Sequence, residues 1–158
     1  MANQSLWYGV IGALVMVLAG IGGYLYLTSA TVTPTPTPTA NVTLDLYAGE
    51  VNASAFGFGN SSGTITSPGP SFNVSVGDVV TVNFHNVGMM YHAFAVVNSL
   101  GTGYAVLFNS AIGSASNPIA PNGTATVTFT CTQAGSFYYI CTVPGHVQLG
   151  MWGNFIVS

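Results

Sequence analysis

From residue 42 onward, apolar and polar residues alternate in short runs, and no run of ten or more residues carries a helical period. The runs are VTLDLY (42–47), SFNVSV (71–76), VVTVNF (79–84), HAFAVV (92–97), YAVLF (104–108), TATVTFT (124–130), SFYYIC (136–141) and GNFIVS (153–158). Gly, Pro, Asn and Ser cluster between them, as in GNSSG, SPGP, NPIAPNG and QAG. A period of two sends successive side chains to opposite faces, so each run suits a strand with one face in a core. Eight such strands with turn signals between them predict an all-β fold, a Greek-key sandwich or barrel. Residues 41–158 are enough chain to bury a core without staples.

The first thirty residues are of another kind. LWYGVIGALVMVLAGIGGYLYL (6–27) has no charge, and as a helix its 22 residues would reach about 33 Å, enough for a bilayer core. Trp7, Tyr8, Tyr24 and Tyr26 lie near its ends, where interfacial aromatics belong. A retained anchor and a cleaved signal peptide both fit. The lack of a basic n-region and the length of the run favour one transmembrane helix. TVTPTPTPTA (31–40) follows; alternating Thr and Pro favours polyproline II and would hold a domain about 31 Å off the membrane. The expected organisation is therefore 1–30 anchor or uncleaved signal, 31–40 stalk and 41–158 folded domain. Beyond the stalk, five Asn-x-Ser/Thr sequons, at Asn41, Asn52, Asn60, Asn73 and Asn122, place that domain on the extracytoplasmic side of the cell membrane and make it a candidate glycoprotein.

The chain has no Lys or Arg, and Asp45, Glu50 and Asp78 are its only side-chain carboxylates. With nothing to neutralise phosphate, nucleic acid is excluded as a partner. Long-range electrostatic steering is weak for the same reason.

Chemistry concentrates near the end, in YYICTVPGHVQLGMWG (138–153). Cys141, His146 and Met151 follow one another with four residues between each pair, and Pro144, Gly145 and Gly150 make the intervening chain a loop. Thiolate, imidazole and thioether together suit copper; zinc has little use for a thioether. A trigonal copper site needs a second imidazole, and His92 is available at the start of HAFAVV. His92, Cys141 and His146 can then form the equatorial plane, with Met151 as a weak axial ligand.

A His opening a strand, followed by Cys-x4-His-x4-Met near the C-terminus, resembles the blue copper proteins, or cupredoxins. The loop is longer than in plastocyanins and is similar to that of rusticyanins and sulfocyanins; the apolar segment, the Thr-rich stalk and GMWG (150–153) make sulfocyanin the nearest likeness. The likeness is weaker over 48–70 and 99–120. It implies an eight-stranded sandwich, one type 1 copper cycling between Cu(I) and Cu(II), and an electron carrier rather than an enzyme. It also implies membrane redox complexes as partners in a respiratory chain: a quinol-oxidising complex upstream and a terminal oxidase downstream. Many cupredoxins have Asn or Ser after the first His; here it is Ala93, so a hydrogen bond to the Cys loop is missing or supplied elsewhere.

Other residues invite weaker readings. Val80, Val82 and Phe84 share a face, which puts His85 on the opposite, exposed one as a non-ligand. Met89 and Met90 either cover the core or form a soft apolar rim near the metal. Cys131 lies on the face of Val127 and Phe129 and is read as a buried free thiol. A hairpin of 124–131 with 136–141 would keep it too far from Cys141 to bond, but the two strands could instead lie in opposite sheets.

The rivals are few. A dinuclear electron-transfer site needs two Cys in the loop, and a copper enzyme needs a second centre that His85 alone cannot build. A copper carrier or store, and a metal-free cell-surface β-sandwich on a stalk, are the alternatives.

Overall fold

The computed structural model describes residues 40–158. The predicted anchor and nearly all of the stalk, residues 1–39, lie outside the described residues. No helix among the described residues is long and apolar enough to cross a membrane.

Eight strands form among the described residues: β1 (Asn41–Asn52), β2 (Ala55–Gly59), β3 (Phe72–Val74), β4 (Val79–Asn86), β5 (Ala95–Val97), β6 (Thr124–Thr130), β7 (Gly135–Ile140) and β8 (Trp152–Val157). They make two four-stranded sheets, in the orders β2-β1-β4-β6 and β3-β8-β7-β5. β1 runs parallel to β4, and β3 parallel to β8; the other pairings are antiparallel. The expected all-β sandwich is present.

The alternation explains the layers. Along β4, Val80, Val82 and Phe84 are buried while their neighbours are half-buried. Leu46 and Ala48 of β1 join that face. Facing them from the second sheet are Phe137, Tyr139, Phe155 and Val157. The Tyr139 hydroxyl donates to the Pro70 carbonyl at 2.6 Å, so its polar tip is satisfied in the core.

Four expectations need correction. Residues 104–108 do not form a strand, apart from one bridge between Val97 and Val106. Phe108 and Asn109 have φ of 56° and 55°, a left-handed turn that ends any extended run. HAFAVV is a strand only from Ala95; His92 and Phe94 make isolated bridges to Ile119 and Ile112. β2, AFGFG at 55–59, was not among the expected strands. A Cβ at Gly57 would run into the Thr66 carbonyl, so the glycine permits close approach of chain 64–66 rather than a break. His85 is half-buried rather than exposed, its ring stacked on Tyr47 at 4.7 Å on the outer face.

β6 and β7 lie in opposite sheets, not in a hairpin. Cys131 and Cys141 are both buried and unbonded, as the free-thiol reading required.

Candidate metal centre

Cys141 follows β7 directly, and Met151 directly precedes β8, so the 142–150 loop must return the chain within a few residues. It closes tightly. The Cys141 amide donates to the Met151 carbonyl at 3.1 Å, and the Met151 amide donates to the His146 carbonyl at 2.9 Å. The Leu149 amide donates to the Gly145 and His146 carbonyls, both at 3.2 Å. Gly145 and Gly150 each take φ of 88°, a conformation costly for other residues. The backbone bonds of this loop therefore tie all three of its candidate donors together.

His92 arrives from the other direction. Its amide donates to the Ile119 carbonyl at 3.1 Å, and the Ile119 amide returns the bond at 2.8 Å. The loop before it is organised by buried Asn86, whose Nδ2 donates to the carbonyls of Met90 and Ile119, both at 2.9 Å. The Gly88 amide donates to the Asn86 Oδ1 at 3.1 Å. These five hydrogen bonds together fix where His92 stands.

The result is a convergence of donors. His92 Nδ1 and His146 Nδ1 are 3.2 Å apart, and Cys141 Sγ is 3.4 Å from His146 Nδ1. The three ligating atoms all lie within 4.8 Å of one another. His92, Cys141 and Met151 are 0% exposed, and His146 is 7% exposed. Met151 packs in the same buried cluster as Cys141 and Ala93. The structure therefore brings together His92, Cys141 and His146 as the sequence predicted, with Met151 buried beside them.

The surroundings keep the donors neutral when no metal is bound. Burial, reinforced by His146 and only partly offset by Glu50, pulls the His92 imidazole down to about 4. Burial lowers His146 as well, with Glu50 opposing. Burial pushes the Cys141 thiol up to about 11, against the Val143 and Ala93 amides, which favour the thiolate. Two unprotonated imidazoles and a thiol facing one another across about 3 Å suit a cation that takes their lone pairs and displaces the thiol proton. One copper ion fits this donor set: two imidazoles, one thiolate and an adjacent thioether in a dry pocket.

The missing Asn or Ser at position 93 is answered by the backbone. The Ala93 amide donates to Cys141 Sγ at 3.3 Å, which favours the thiolate. Two residues outside the predicted set also touch the imidazoles. Phe56 packs on His146, ring centroids 4.4 Å apart, and meets His92 edge-on at 5.7 Å. Glu50 Oε1 lies 3.8 Å from His92 Nε2. Phe56 sits in the unexpected strand, and nothing near Glu50 in the sequence marks it.

Met89, Met90 and Tyr91 are exposed, Met89 at 84%, so they do not cover the core.

A profile of the family described as Multicopper oxidase matches residues 62–158, which include His92, Cys141, His146 and Met151. The chain belongs to this family of copper proteins. Within it, the chain is a cupredoxin of the blue copper kind. It is 33% identical over 102 residues to auracyanin-A of Chloroflexus aurantiacus, covering 54% of this chain and 62% of that one. It is 32% identical over 95 residues to rusticyanin of Acidithiobacillus ferrooxidans, covering 56% and 61%. This cupredoxin thus spans about three-fifths of the length of those relatives. Its fold is similar to the blue copper oxidase of Nitrosomonas europaea, with TM-score 0.56 and 29% identity over 75% of this chain and 39% of that one.

Proposed function

We propose that this protein is a type 1 blue copper electron carrier, held by His92, Cys141, His146 and Met151. The observation that carries the reading is the meeting of the two Nδ1 atoms and Sγ within 4.8 Å in a buried pocket. When bound, copper supplies a one-electron couple between Cu(II) and Cu(I). The protein's part is to hold its donors still. Both ends of the ligand loop are hydrogen-bonded to each other, and His92 is pinned to Ile119, so little has to move when charge changes.

His146 alone among the four touches solvent, and its ring edge is the proposed route for the electron. Pro144 and Leu149 are exposed beside it in sequence, and Met89 and Met90 are exposed on the loop that leads to His92. Docking on such a face is apolar, and in a chain without Lys or Arg it is little affected by salt. A tenfold slowing of reduction by the partner between low and moderate salt would count against this.

The likeness within the cupredoxins is to sulfocyanin and rusticyanin. Tethering is supported by the uncharged run 6–27 and the Thr-Pro tract 31–40. The proposed place is the outer face of the cell membrane, with a quinol-oxidising complex as electron donor and a terminal oxidase as acceptor in a respiratory chain. All five sequon asparagines are exposed, which supports glycosylation; an unmodified mass for the native protein would remove that part.

Replacing Cys141 by Ser tests the centre. The variant is expected to lose the intense visible band, since no thiolate remains. A still-blue Cys141→Ser protein would overturn the ligand set. A copper carrier or store would instead exchange metal readily and show a poorly reversible couple, which fully buried donors oppose.

A further inference from the structure

We infer that Glu50 is a positioning residue for His92: a fixed carboxylate that holds the imidazole proton on Nε2, keeps Nδ1 free for the metal, and favours the higher charge state there.

Glu50 is the one carboxylate beside the centre. Asp45 is taken by Asn83 Nδ2 at 3.0 Å, and Asp78 by the Ser75 amide at 2.8 Å. The Glu50 carboxylate is held on the loop that carries His92. The Met89 amide donates to Oε1 and Oε2 at 3.2 and 3.0 Å, and the Met90 amide donates to Oε1 at 2.9 Å. Gly88 makes room for it: a Cβ there would come within 2.6 Å of Oε2 and 2.9 Å of the Gly49 Cα. The two amides hold the carboxylate beside His92.

Among the described residues His92 Nε2 is buried with no hydrogen-bond partner, and Glu50 Oε1 lies 3.8 Å from it. That is too long for a hydrogen bond and within reach of a charge. A lone pair on Nε2 would face a carboxylate across that gap, whereas an N–H facing it is favourable. The proton therefore belongs on Nε2. In the metal-free protein His92 Nδ1 then accepts, and His146 Nδ1 donates to it across 3.2 Å. A negative charge fixed behind a ligand also favours the more positive ion, as outer partners of ligating histidines do.

Two variants test this, and the second readout rests on the copper reading while the first does not. In metal-free protein, nitrogen-15 NMR is expected to place the His92 proton on Nε2; Glu50→Leu, which removes the acceptor at similar size, shifts it toward Nδ1. In copper-loaded protein, Glu50→Gln keeps the anchor to Met89 and Met90 but drops the charge. It is expected to favour Cu(I) over Cu(II) about tenfold, a rise of about 59 mV. An unchanged His92 tautomer in Glu50→Leu, or an unmoved or lowered potential in Glu50→Gln, overturns the inference. A wild-type protein that takes up no copper refutes the proposed function instead and leaves the tautomer measurement to decide on Glu50.

Discussion

The amide of Ala93 donates to the sulfur of Cys141 at 3.3 Å, linking the residue after the first histidine to the end of β7. A backbone donor does here what a side chain could have done. Ala93 is outside any strand, yet its amide should exchange with solvent among the slowest in the protein. Amide exchange by NMR checks this. Exchange of Ala93 as fast as that of exposed Tyr91 would mean the bond is absent in solution.

Asn86 should be a stability residue out of proportion to its size. Its side chain serves two carbonyls and one amide that hold the 86–92 loop to the 119–123 turn. Asn86→Ala leaves the part-buried Met90 carbonyl without that donor and removes one of the two donors to the Ile119 carbonyl, at a cost of about 2 kcal/mol in urea unfolding. A change below about 0.5 kcal/mol would show that water replaces the amide there.

Gly145 and Gly150 share the same φ of 88°, but only Gly150 is crowded. A Cβ at 145 meets nothing within 4 Å, whereas one at 150 runs into Ser67 Oγ. Gly145→Ala should cost about 1 kcal/mol, the left-handed penalty alone. Gly150→Ala should cost about 2–3 kcal/mol, because the Ser67 hydroxyl must also turn away and give up its bond to the Gly150 carbonyl. Thermal unfolding ranks the two; the opposite order would contradict the packing.

Cys131 should make the protein weaker in alkali. Burial, with a smaller contribution from Asp78, pushes its thiol from 9.0 to about 11. Between those values the folded chain keeps a proton that the unfolded chain has lost, so stability falls as pH rises. The contribution is complete below pH 9.0 and is lost as pH climbs through about 11, in all about 2–3 kcal/mol. Denaturation of copper-loaded protein across this window, where Cys141 is committed to the metal, should show a shallower slope in Cys131→Ala. Equal slopes would refute it.

Sequence patterning carried most of this architecture, because alternation fixes which face of a strand is buried whatever the strand order. Val80, Val82 and Phe84 were assigned correctly on that ground alone. It failed where a local signal had a non-local cause. β2 was missed, and Gly57 has its reason only in chain 64–66, which lies against it. The 104–108 run alternates well, but the left-handed Phe108 and Asn109 bend it away. The donors were legible because soft ligands at a fixed spacing are rare in a chain with two Cys and three His. Their partners were not. Glu50 lies 42 positions before His92 and is brought to it by the folded chain, with β1 lying beside β4. Asn86 likewise reads as one polar residue among many until its three partners surround it.

Titration of the purified, metal-free protein with Cu(II), followed by visible absorption and metal analysis, tests the central claim most directly. One copper per chain is expected, with an intense visible band that one electron bleaches and reoxidation restores. A protein that stays colourless, with no bound copper after reconstitution, would contradict the account.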